Sequence, residues 1–156
     1  MSVLKLALGA SVVAILYGLF LIKKIMDKPA GEGKMIGIAK AIQEGAAAFL
    51  ARQYKTITVF GIIIFTLLWV SLGRNMALGF LVGAFFSGLA GYVGMMVAVR
   101  ANVRTTEAAK SGVQAALSMA TEGGAVTGLL VVGFGLLSVA GFYALTKDLS
   151  ALVGLG

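Results

Sequence analysis

No cysteine and no histidine occur anywhere in the chain, and proline occurs once, at Pro29. Without cysteine there is no disulfide framework, thiol nucleophile or cysteine metal site, so the redox compartment is not written in the sequence. Without histidine the commonest metal ligand and the usual proton relay near neutral pH are both missing. Acids are scarce too: Asp27, Glu32, Glu44, Glu107, Glu122 and Asp148 are all there are in 156 residues. Each lies outside a long apolar run or at its edge. No two of them make a metal-ligand pair on a helical spacing, and none sits mid-span, where a transporter or pump places its working carboxylate. Charged residues form only 12% of the chain, about half the share of a soluble domain.

What is present is apolar surface in long runs. Hydrophobic residues make up 60% of the chain, the mean hydropathy is +1.01, and four stretches carry no charge: Leu6 to Ile22, Thr56 to Gly73, Asn75 to Val99 and Gly123 to Thr146. At about 1.5 Å per residue each can cross a hydrocarbon core of about 30 Å, the first two with help from their flanks. A lone segment in lipid must satisfy its own backbone, so all four are expected to be helices. The fold expected is all-α: one polytopic membrane unit over residues 1–156, with spans at 6–22, 56–73, 75–99 and 123–146. The first run is expected to stay as a span rather than be cleaved, because one lysine precedes it and Lys23 and Lys24 follow it.

The basic residues give a direction. Lys23, Lys24, Lys28, Lys34, Lys40, Arg52 and Lys55 lie between spans one and two, and Arg100, Arg104 and Lys110 between spans three and four. Only Lys5, Arg74 and Lys147 fall on the other side. The positive-inside rule puts the larger set in the cytoplasm and both termini outside, and it accounts for the net charge of +7 without nucleic acid.

The connections differ in kind. Spans two and three are joined by essentially two residues, Arg74 and Asn75, as a tight hairpin. The first basic connection holds the breaker cluster DKPAGEG, Asp27 to Gly33. After it, Met35, Ile38, Ile42, Ala46 and Phe49 recur every three or four residues, and no breaker precedes Thr56. One long helix is therefore expected from Lys34 into span two, its extension covering about 34–55. A second extension, about 107–122, is expected to lead from Glu107 into span four, with a bend at Gly123-Gly124.

Glycines are plentiful, 22 in all. In span three Gly79, Gly83, Ser87 and Gly91 recur every four residues, and span four carries Gly124, Gly128, Gly133, Gly135 and Gly141. Small faces allow close backbone approach, which drives helix association in lipid; the same faces would also suit a substrate path. Among the polar residues, Glu122 is expected to complement a helix N-terminus, Glu44 to pair with Lys40 one turn earlier, and Arg100 and Arg104 to anchor a helix end at the headgroups. Asn102 stands between those arginines, and an anionic ligand is their alternative contact. GEGK at 31–34 lacks the Ser or Thr and the strand of a phosphate loop. No catalytic, cofactor-binding or metal-ligating residue is assigned.

Three passages together resemble the N-terminal part of the membrane-integral, ion-translocating inorganic pyrophosphatases: AIQEGAAAFLARQYKTI (41–57), GYVGMMVAVRANVRTTEAAKSGVQAAL (91–117) and GGAVTGLLVVGFGLL (123–137). The resemblance implies pyrophosphate hydrolysis coupled to H⁺ or Na⁺ pumping, with Mg²⁺ as cofactor and K⁺ where potassium is required. It implies homodimers of about sixteen spans per subunit, of which these would be the first four, in an outer ring. The partners implied are the lipid bilayer, the remainder of the pump, a second copy and pyrophosphate. The family's aspartate-rich motifs, D-x-x-x-D-x-x-x-K and D-D-N-V-G-D, have no counterpart here, and Glu122 replaces a more usual basic or neutral residue. The chain is thus expected to be a fragment or truncated relative, a scaffold inactive alone, in the cell (inner) membrane. The alanine run Ala46 to Ala48 would let its helix lie against neighbouring extensions. The alternatives are a non-catalytic structural membrane subunit or a rotary-ATPase proteolipid, though the latter needs a mid-span carboxylate.

Overall fold

The structure, a computed structural model, describes residues 2–155. It consists of α1 (Ser2–Met26), α2 (Lys34–Ser71), α3 (Arg74–Ala109) and α4 (Val113–Thr146), followed by a short 3₁₀ helix, Ser150–Leu155. The described residues contain no strand, and all four α-helices are long and apolar enough to cross a membrane. The all-helical membrane fold expected from the charge-free runs is the fold observed.

α2 is unbroken over 38 residues, about 57 Å at the usual helical rise, so it carries far more than one bilayer core requires. α3 and α4, at 36 and 34 residues, overshoot in the same way. The overhang collects where the lysines and arginines are, at the end shared by the last turns of α1 and α3 and the first turns of α2 and α4.

Two boundaries differ from the sequence reading. Glu107 belongs to α3, which runs on to Ala109, and the helix into span four starts only at Val113. The break is Ser111-Gly112: Gly112 has φ +110, a backbone region that side-chain-bearing residues avoid, and its N–H closes on the Ala109 carbonyl at 3.0 Å. From there α4 is continuous through Gly123-Gly124. The α2–α3 turn is Leu72-Gly73, with Arg74 and Asn75 already inside α3. The N–H groups of Leu72 and Gly73 both donate to the Leu68 carbonyl, at 2.9 and 3.0 Å, and Gly73 turns the chain at φ +91.

The helices form a row, α1–α4–α3–α2, rather than a closed bundle. α4 packs between α1 and α3, α1 barely touches α3, and α2 touches α3 alone. Small residues set these contacts. A methyl on Gly133 of α4 would lie 2.7 Å from Ile15 Cγ1 and 3.2 Å from the Ser11 carbonyl oxygen of α1. On α4's other side Gly123 faces Ala101, and Thr127 fits over Gly94 of α3. Leu21 and Ile25 of α1, Val97 and Ala101 of α3, and Met119, Val126 and Leu130 of α4 close the core toward the basic end.

The glycine row of α3 does not serve one neighbour. Gly88 and Gly91 face the Tyr54 ring of α2, and the Tyr54 hydroxyl donates to the Gly88 carbonyl. Gly79 and Gly83 receive the backbone of the 3₁₀ helix, where a methyl would strike the carbonyls of Ala151 and Leu155. Gly124, Gly128, Gly135 and Gly141 of α4 have no such neighbour. Close approach is thus real at five α3 glycines, but it is divided among three partners.

Candidate functional site

The densest polar cluster lies at the basic end, where three helices are tied together by charge. An α-helix leaves its last four carbonyls without partners, and Pro29 prevents α1 from continuing. Arg104 of α3 reaches those orphan groups. Its Nε donates to the Lys28 carbonyl at 3.0 Å and one terminal nitrogen to the Met26 carbonyl at 3.1 Å. The other donates to Arg100 of its own helix at 2.9 Å. A planar guanidinium can hold three such acceptors at once; an ammonium offers no fixed fork. Beyond the helix-end position expected for it, Arg104 acts as a C-terminal cap of α1 supplied from another helix.

Lys24 of α1 meets Glu122 of α4 at 2.6 Å. Glu122 was expected to complement a helix start, but α4 begins nine residues earlier, so its carboxylate lies beyond the exposed N–H groups and pairs across to α1 instead. Glu107 Oε2 is buried, with Lys110 Nζ 2.6 Å away as an ion pair lacking hydrogen-bond geometry. It abuts Gly31, where a methyl would lie 2.7 Å from the same oxygen. The φ of +81 at Gly31, a region that side-chain-bearing residues avoid, rather than a phosphate, explains the glycine before Glu32. Lys40 and Glu44 stand 4.0 Å apart on the exposed surface of α2. Arg100 donates to the Met96 carbonyl at 2.7 Å.

Beside this cluster α3 and α4 enclose a groove of about 510 Å³, lined by Asn102, Thr105, Thr106 and Thr127 among alanines and glycines. The Thr105 and Thr106 hydroxyls already donate to the Ala101 and Asn102 carbonyls, both at 3.1 Å. No carboxylate lines the groove, so it holds no nucleophile-and-base pair.

The six acids are dispersed. Asp27 and Glu32 lie in the α1–α2 connection, Glu44 on α2, Glu107 and Glu122 at the basic end. Asp148 lies at the opposite end, accepting from Asn75 at 3.4 Å. Among the described residues no three His, Cys, Asp or Glu side chains come together as a metal site. Mg²⁺ is commonly held by one or two carboxylates together with water and phosphate oxygens; of the carboxylates here, Glu107 and Glu122 each stand against a lysine. The cap made by Arg104 and the docking of 150–155 were missed by the sequence reading, because both join residues far apart in the chain.

Residues 12–155 match the family model described as inorganic H⁺ pyrophosphatase. The K(+)-insensitive pyrophosphate-energized proton pump of Methanosarcina mazei is 45% identical over 149 residues, covering 94% of this chain and 22% of that protein. Proton pump 2 of Moorella thermoacetica, also K(+)-insensitive and pyrophosphate-energized, is 42% identical over 138 residues, 87% of this chain and 20% of its own length. A putative K(+)-stimulated pyrophosphate-energized sodium pump of Clostridium tetani is 43% identical over 120 residues, 77% of this chain and 18% of its own. The chain spans about a fifth of the length of the curated relatives it matches.

Proposed function

Since the chain belongs to the inorganic H⁺ pyrophosphatase family, we propose that it acts as the scaffolding part of a membrane pump that couples pyrophosphate hydrolysis to H⁺ or Na⁺ transport. The observation that carries this reading is the match along residues 12–155 to pumps about five times longer. The remainder of the pump would supply the Mg²⁺ and pyrophosphate ligands, K⁺ where required, and the second subunit of a homodimer. The lysine and arginine asymmetry supports an external N-terminus and cytoplasmic basic connections in the cell (inner) membrane.

α2 supports the scaffolding role. On its basic half Ala39, Ala46 and Leu50 are buried while Ala47 and Ala48 are exposed. The exposed alanines offer a close-fitting face to further helices of the pump. The test is reconstitution of the purified chain in vesicles with pyrophosphate and Mg²⁺. Neither hydrolysis nor cation movement is expected, and both should appear when the chain is co-produced with the complementary four-fifths of a relative. Hydrolysis by the chain alone, or no recovery with that complement, would overturn the proposal.

A further inference from the structure

α2 has one neighbour in the row, α3, and between Tyr54 and the Leu72-Gly73 turn the two helices leave an open cleft of about 1100 Å³. Phe60, Ile64 and Phe85 stand exposed along it. Lipid tails are as apolar as these side chains, so their exposure alone does not say what covers them. One polar group in the cleft does.

Ser87 lies at the midpoint of the charge-free run Asn75 to Val99, twelve helical steps or about 18 Å from either end. Its side chain is exposed and lines the cleft. The four charge-free runs hold nine serines and threonines. Seven of them donate to a carbonyl three or four residues earlier in their own helix, as Thr58 does to Tyr54 and Thr66 to Ile62, both at 2.8 Å. Of the other two, Thr127 is packed over Gly94 of α3, four residues from the end of its run. Ser87 has no hydrogen-bond partner among the described residues, and the hydrocarbon at its depth offers none. An acyl chain in the cleft would leave that hydroxyl as it is. A helix can meet it, because a hydroxyl both donates and accepts. Ala84 and Gly91, about one turn to either side of Ser87, also line the cleft, so its floor is small enough for another helix backbone to come close.

We propose that the cleft is the seat of a further membrane helix of the longer protein, one that lies on Ala84 and Ser87 and brings a hydroxyl or amide side chain to the Ser87 hydroxyl. This rests on the scaffolding reading above, in which relatives about five times longer supply the remaining helices.

The test is a photo-cross-link in the chain co-produced with the complementary four-fifths of a relative. Phe85, exposed in the cleft, is replaced by p-benzoylphenylalanine, which is aromatic like the residue it replaces. The expected product is an adduct between chain and complement. Ser87→Leu, which fills the floor, lowers its yield at least tenfold. Ser87→Ala keeps the space but removes the hydroxyl, and lowers the yield about threefold, the size of one interhelical hydrogen bond in a membrane. Circular dichroism of the chain alone shows unchanged helix content for both variants, and Ser87→Ala decides the matter should Ser87→Leu misfold. Adducts only with phospholipid, or only with a second copy of the chain, would overturn the proposal, as would a yield indifferent to both substitutions. Hydrolysis recovered without a chain–complement adduct removes this inference and leaves the scaffolding reading standing. The adduct without hydrolysis keeps the inference and removes that reading.

Discussion

Adding a single methyl group at Gly133 tests the packing of α1 on α4. The new Cβ would lie 2.7 Å from Ile15 Cγ1, 3.2 Å from the Ser11 carbonyl oxygen and 3.3 Å from the Ile15 nitrogen. Ile15 is stiff at χ1, and two of the three atoms are backbone, so relief requires moving α1 itself. Overpacking of this kind costs about 1–3 kcal/mol. Replacing glycine by alanine in a helix also returns about 1 kcal/mol of propensity, which would mask part of the loss. Gly128, in the same helix with nothing near its absent side chain, supplies the correction. The difference between Gly133→Ala and Gly128→Ala isolates the clash at about 1–3 kcal/mol, roughly 5- to 140-fold in the folding equilibrium. Reversible unfolding in mixed detergent, followed by circular dichroism, measures it. If the two variants unfold at the same detergent composition, α1 does not sit on α4 at Gly133 and the row order is wrong.

Other outcomes follow from the same contacts. Arg104→Ala should free the Met26 and Lys28 carbonyls, cost about 1–3 kcal/mol, and raise amide exchange in the last turn of α1; Arg104→Lys should recover little of it. Lys24→Glu and Glu122→Lys should each weaken detergent stability, and the double reversal should restore it, an effect that fades with added salt. Gly79→Leu should dislodge the 3₁₀ helix, so that Ala151→Cys, buried otherwise and the sole thiol in the chain, reacts with maleimide at least tenfold faster. In a full-length pump Ala47→Phe should impair assembly or hydrolysis; unchanged expression and turnover would remove the proposed role of that face.

The helices themselves were legible because their signals are local. No breaker lies between Phe49 and Thr56, and α2 is continuous there. Charge-free runs marked the spans, and the breaker cluster before Lys34 marked a connection. The start of α4 was misread although Ser111-Gly112 is a turn dipeptide; the alanines and apolar residues on both sides masked it. Neighbour order was not legible at all. Periodicity says which face of α3 is small, but not that Tyr54, Thr127 and the 150–155 backbone divide it. The polar cluster was harder still. Arg104 was visible as a charge at a helix end, yet the carbonyls it caps lie 76 and 78 positions away. What could be read directly about the six acids was their position outside the apolar runs or at their edges.

The row order has a consequence for how the polypeptide is made. Of these four helices α1 leaves the ribosome before the others, yet its main partner among them is α4. Until α4 emerges its Ser11–Gly18 face rests in lipid with no protein against it. The α2–α3 hairpin, joined by two residues, can settle on its own in the interval. Among these four helices the contacts favour assembly from the middle outward: hairpin first, then α4 against α3, and α1 once Arg104 and Glu122 are both in place to hold its last turn.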